Sequence, residues 1–173
     1  WGGGCVYTAS YPVEVGDEQR LYFSSTRRSH AWYLNRDHSL NKENLQTLID
    51  EGNGRIGFAS WPKWRLFGLR SDPVGSVPFY IRLDAPCQIR LNYECELGGS
   101  VRAELPALGP GLSAPQGRGL NDSVALKGDS FAAPLAWRDG SSIQPGEDGL
   151  TKVTLHLDRA TIYAFEVVPG SAR

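Results

Sequence analysis

Carboxylates, histidines and aromatic–arginine clusters are the residues of this sequence with chemistry to offer. Hydrolysis of a glycosidic bond needs two carboxyl groups roughly 5 to 10 Å apart across the sugar. The candidates are Asp17, Glu18, Asp37, Asp72, Asp129 and Asp139. Most of these aspartates stand beside Gly, Ser or Pro, where turn formation explains them, and their spacing pairs no two. His30, His38 and His156 have no partner at i+2 or i+4, so no local zinc signature exists. His156 falls on the polar face of a strand pattern and reads as solvated. His30 and His38 follow Arg27-Arg28 in a polar segment that could face a ligand. A phosphate-cradling glycine loop, a Gly-x-Ser-x-Gly elbow and a Cys-x-x-Cys pair are all missing. Binding, not catalysis, is the expectation.

Five tryptophans in 173 residues point to what would be bound. Sugars present C–H faces that stack on flat rings, while Arg, Asn, Asp and Gln hydrogen-bond their hydroxyls; small-ligand sites generally pair apolar walls with a few placed polar groups. Two clusters fit that recipe, the segment from Arg27 to Asp37 and Trp61-Pro62-Lys63-Trp64-Arg65. Trp32, Tyr33, Trp61 and Trp64 would stack, and Arg28, Arg36, Arg65 and Asp37 would make the polar contacts. The competing reading is core packing, the usual fate of large aromatics, and it is favoured for Trp64 and Trp137, which fall in strand patterns. A structural calcium ion would draw on carboxylate and carbonyl oxygens in a loop. Asp122 and Asp129 are the candidates, without a diagnostic ligand spacing.

The elements that must position these residues read as short strands between Gly, Pro, Asp and Ser. Strands are expected near 5–10, 20–24, 30–34, 55–60, 64–69, 79–83, 88–96, 100–105, 130–137, 151–157 and 161–168. Pro134 confines the ninth to a sheet edge or a bulge. Ile89, Leu91 and Tyr93 alternate with Arg90, Asn92 and Glu94; the last strand is apolar on both faces except for Glu166, so a central place is expected. Leu45, Leu48 and Ile49 share a face and predict one short helix over Asn41–Glu51, stopped by Gly52 and Gly54. The pattern is that of an all-β, antiparallel two-sheet sandwich, jelly-roll-like, with one short helix. The loops 106–117 and 139–149 interrupt it, and long loops on a rigid scaffold often carry function.

Composition bounds the rest. The length suits one domain over 1–173, with 1–70 as a potential annex before a more regular 71–173. A net charge of −1 lacks the basic face of a nucleic-acid binder, and no apolar run approaches the roughly 20 residues that span a bilayer. If the strand between Cys87 and Cys95 is continuous, they stand roughly 26 Å apart, beyond the about 7 Å of a disulfide. Cys5, Cys87 and Cys95 are therefore expected as free thiols. Methionine is absent even at position 1, which suggests a cleaved product or an excised piece.

Several stretches resemble a known superfamily. Val13-Glu14-Val15-Gly16-Asp17-Glu18 and Leu21-Tyr22-Phe23-Ser24 look like the closing strands of five-bladed β-propeller glycosidase-like proteins, related to invertases and arabinanases. Arg55 to Ser60 and Trp64 to Arg70 resemble their blade-to-sandwich transition. Leu91 to Glu94, Val101 to Leu105 and Leu126 to Trp137 are similar to their C-terminal sandwich, and Leu157 to Phe165 to its final hairpin. The resemblance implies a sandwich appended to a propeller that carries the active site, most of which this sequence lacks, so no catalytic residue carries over. Together with the sandwich pattern and the Trp and Arg clusters it leads to the expectation of a non-catalytic carbohydrate-binding module for a plant or algal polysaccharide, in an extracellular or periplasmic setting, attached to or associated with a catalytic domain. The alternatives are a purely structural brace for a propeller, or a small polysaccharide lyase or hydrolase. An apolar face left by the missing propeller would favour self-association.

Overall fold

The computed structural model describes residues 5–26 and 54–170. They form two antiparallel sheets, the all-β, two-sheet architecture that the alternation predicts, with no α-helix among the described residues. The expected helix Asn41–Glu51 and the expected strand at 30–34 lie outside them. The chain divides into two compact units, Trp1–Lys63 and Trp64–Arg173.

In the first unit, β3 (Glu18–Thr26) is the middle strand. β1 (Cys5–Thr8) and β2 (Val13–Val15) follow one another along one edge, and β4 (Arg55–Pro62) covers the other. Val15 pairs with Glu18, so Gly16-Asp17 is a two-residue hairpin loop. Gly16 supplies the positive φ, 62°, that such a loop demands. Pairing places Tyr7, Tyr22, Ile56 and Phe58 on one face, and all four are exposed. Leu21, Phe23 and Trp61 occupy the other face and are half-buried.

The second unit holds the core. It comprises β5 (Leu69–Arg70), β6 (Val74–Arg82), β7 (Cys87–Glu104), β8 (Asp129–Pro134) and β9 (Leu150–Pro169). β9 is central, as its two-sided apolarity predicts: β5 and β6 run along one edge and β7 along the other, with β8 outermost. Pro134 sits at the end of that edge strand, where its missing N–H does no harm.

Four expected strands prove to be two. Residues 88–96 and 100–105 belong to the single β7, and 151–157 and 161–168 to the single β9. The supposed final hairpin at Asp158-Arg159 is therefore a corner within one strand. Cys95 pairs with Ala160 and Ser100 with Asp158, so residues 96–99 bulge out opposite Arg159 alone. Arg159 (φ 44°) and Gly98 (φ 78°) take left-handed conformations there, and the Arg159 guanidinium donates to the Gly98 carbonyl at 2.9 Å. Bulges of this kind turn the corners of folded sheets.

The corner folds the ladder over on itself. Phe79 pairs beside Val153 on β9, and a straight strand would carry Phe165 about 40 Å beyond that point. Yet the Phe79 and Phe165 rings stack with centroids 4.6 Å apart. The two halves of the bent β7–β9 ladder thus face each other as the layers of a sandwich. Between them lie Ile89, Leu91, Val101, Val153 and Leu155, all essentially inaccessible, with Leu135, Trp137 and Ile143 from the later loops closing the core.

The expected strand at 64–69 is a further correction. Only Leu69–Arg70 is extended, because Trp64 takes φ 60° and turns the chain before the sheet begins. Trp137 is buried as expected, but Trp64 is 54% exposed and not in the core.

Candidate functional site

Of the residues singled out for sugar binding, Arg28, Trp32, Tyr33, Arg36 and Asp37 lie outside the described residues, and the remaining three behave differently from one another. Trp61, on β4, is half-buried, and its indole N–H donates to the Gln19 side-chain carbonyl at 3.2 Å. Trp64 presents an accessible ring. Arg65 faces the protein itself.

Only 8% of the Arg65 side chain is accessible. Its Nε donates to Asn92 Oδ1 at 2.8 Å. Its Nη2 donates to the Asp129 carboxylate and to the carbonyls of Tyr93 and Ser130. The guanidinium lies 4.1 Å from the Phe131 ring centroid and 4.9 Å from that of Tyr163, a double cation–π contact. Tyr163 in turn donates to Glu94 at 3.0 Å; burial and that acidic partner hold its hydroxyl above the usual tyrosine range. Through these contacts Arg65 acts as a pin across the outer face of the sheet. The same pin engages Asp129, one of the two calcium candidates. Asp122, the other, lies 3.8 Å from Arg138. No grouping of three metal-ligating side chains occurs among the described residues.

Polar side chains converge elsewhere in the second unit. A groove of about 780 Å³ runs beside the start of β7 and the loop 139–149; Ala85, Pro86, Pro169 and two glycines form part of its lining, and Gln88, Arg118, Asp139, Ser141, Ser142 and Gln144 supply its polar side chains. Backbone pairing fixes its walls. Cys87 and Ile143 exchange hydrogen bonds at 2.9 and 2.8 Å, which holds the loop against β7. Gln88 then donates to the Ser141 hydroxyl at 2.6 Å, and Gln144 to the Ser142 hydroxyl at 3.2 Å. Arg118 stacks on the buried Trp137 ring at 5.1 Å, pairs with Asp139 and donates to the Ser142 carbonyl at 3.0 Å. The opposed charges of Arg118 and Asp139 leave these six lining side chains with no net charge.

This set presents amide and hydroxyl groups, which both donate and accept, around one carboxylate. Such a lining can match the alternating donors and acceptors of a polyol. Sequence reasoning noted the loop 139–149 as one that could carry function and Asp139 as a carboxylate candidate, but not the grouping. The convergence of Gln88, Arg118 and Gln144 depends on pairings across the fold. No protein-family model, curated protein or solved structure matches the chain.

Proposed function

We propose that this chain is a non-catalytic carbohydrate-binding module that holds a neutral oligosaccharide or polysaccharide segment in the groove beside β7. The observation that carries the reading is the mixed lining: two side-chain amides, two hydroxyls and an internally neutralised Arg–Asp pair, set among the apolar Ala85, Pro86 and Pro169. Its volume falls in the range of roughly 300–1,000 Å³ typical of small-ligand sites. The setting is extracellular or periplasmic, and the resemblance to propeller-associated sandwiches supplies the context of an attached or associated catalytic domain.

A glycan array followed by affinity gels tests the reading, with Gln88→Ala and Asp139→Ala alongside Trp64→Ala. Both groove variants are expected to weaken retention at least about tenfold, the loss of one to two charge-assisted or neutral hydrogen bonds, with unchanged near-ultraviolet circular dichroism. Retention that only Trp64→Ala weakens would move the site out of the groove. A broad panel without any binder would remove the reading.

One observation favours a second reading, a structural brace. In the first unit Tyr7, Tyr22, Ile56 and Phe58 form an exposed face, with Ile56 81% accessible, and contiguous apolar surface of that kind commonly marks an interaction site. Concentration-dependent sedimentation that Ile56→Asp reverses would support it.

A further inference from the structure

The second unit has a sheet edge that its own strands leave open. β6 accompanies β9 from Leu150 to Asp158, and β5 continues at Thr161 and Ile162. Beyond that point no strand among the described residues pairs with β9 on this side. Over 164–169 it is held by β7 alone, so alternate residues direct backbone N–H and C=O groups outward. The side chains agree. Phe165 and Val167 stand opposite Leu91 and Ile89 in register and so face the interior. Yet Leu91 and Ile89 are 1% and 0% accessible, whereas Phe165 and Val167 are 47% and 41% accessible. From the other layer Phe79 stacks on Phe165, and its neighbours Val77 and Ile81 on β6 are likewise only partly buried. We infer that this edge accepts an extended strand of a partner polypeptide, whose alternate apolar side chains cover Phe165 and Val167 and whose outward side chains bring a cation to Glu166. The inference is independent of the carbohydrate reading.

Three observations name the occupant's chemistry. Open main-chain groups are matched by another main chain, as in recognition by strand addition. Exposed inward side chains at every second position call for apolar residues with the same period. Glu166, exposed between them, has no ion-pair partner among the described residues, since its cross-strand neighbour Arg90 donates to Gln88 at 3.4 Å. A lysine or arginine beside it is complementary, whereas the same edge of a second copy would bring glutamate near glutamate and supply no cation. Edges built to repel strands carry an inward charge or a proline. β6, another open edge of this unit, has Pro78 in mid-strand, but on β9 the inward positions are apolar and Pro169 comes last. Nor do residues 65–68 extend β5 along the gap, because the Arg65 guanidinium is pinned over Phe131 and Tyr163.

The test titrates the full chain with fluorescein-labelled octapeptides that alternate valine, isoleucine, leucine or phenylalanine with lysine, read by anisotropy. Hydrogen exchange with mass spectrometry reports on 163–169 in the same mixtures. The expected result is binding at least about tenfold tighter than that of scrambled peptides of equal composition, with slowed exchange over 163–169. Val167→Lys places a charge at an inward edge position and should abolish binding. Glu166→Lys should reverse the preference from lysine-bearing to glutamate-bearing peptides. Both side chains are exposed, and an unchanged near-ultraviolet circular dichroism spectrum verifies that each variant folds. Equal binding of alternating and scrambled peptides, binding indifferent to Val167→Lys, or no binding by any peptide of the panel would overturn the inference. So would protection of β4 or β6 in place of 163–169. Slow exchange over 163–169 in the chain alone, at concentrations where it sediments as a dimer, would overturn the peptide occupant in favour of a second copy.

Discussion

Arg65 illustrates how far a side chain's partners can lie from its neighbours in sequence. In the sequence it closes a Trp-Pro-Lys-Trp-Arg cluster, an arrangement that suits a sugar platform. Its partners are distant, Asn92 at a separation of 27 residues and Asp129 at 64, and local spacing carries no information about them. Once assembled, the guanidinium satisfies the buried Asn92 amide oxygen and two backbone carbonyls between two aromatic rings. Removing it takes a hydrogen bond from each of those acceptors and the ion pair from Asp129. Arg65→Ala is therefore expected to destabilise the protein by about 2–4 kcal/mol, less than a fully buried ion pair because Asp129 stays partly hydrated. Arg65→Lys keeps the charge but loses the planar fork and falls between the two. Urea denaturation followed by tryptophan fluorescence measures both, and an unchanged midpoint for Arg65→Ala would refute the pin. Trp137 was legible for the opposite reason: an indole following the apolar Ala132 to Ala136 stretch has few places to go but inward.

Element-scale signals were half readable. Period-2 alternation located Ile89, Leu91, Tyr93, Val153 and Leu155 in the core, because strand periodicity does not depend on distant partners. Glycines and an Asp-Arg pair then broke the pattern, and such residues mark both chain reversals and bulges. The structure uses them as a bulge. What decides between the two is the register of β7 against β9, a tertiary fact. The corner makes a sharp demand at Gly99, where an added Cβ would lie 2.5 Å from the Arg159 carbonyl oxygen and 2.6 Å from that of Asp158. Both are backbone atoms that cannot swing aside. Gly99→Ala should cost about 1–3 kcal/mol through overpacking, or open the corner and expose the Phe79–Phe165 stack. Thermal unfolding measures the first, and a changed near-ultraviolet aromatic signal the second. Leu97→Ala, at the fully exposed tip of the same bulge, should leave both readouts unmoved. Equal stability of the two variants would mean that the corner is not held by close backbone approach.

At the scale of the molecule, the buried apolar side chains among the described residues all fall between Leu83 and Ile162, within the second unit. Composition could show that a core of adequate size exists, but not that it is concentrated in one part of the chain. Two consequences follow from that placement. Burial raises the Cys87 and Cys95 thiols above their ordinary 9.0 and the Tyr93 hydroxyl above 10.0, with the Asp158 and Glu94 charges adding to Cys95 and the Cys95 and Asp129 charges to Tyr93. A group whose folded value is raised keeps its proton in the native state after the unfolded chain has lost it. Its stabilisation is complete below the unfolded value and disappears as pH climbs through the folded one. Stability should thus be level up to about pH 9 and fall progressively above it. All of these groups reside in the second unit. A fragment beginning at Trp64 should therefore unfold cooperatively and show the same alkaline decline as the whole chain, with its midpoint starting to fall near pH 9. Urea titrations of both from pH 6 to pH 11 make the comparison. A fragment that unfolds without cooperativity would show that residues before Trp64 are required for the core, and a flat profile above pH 9 would show that the thiols and Tyr93 are not buried as described.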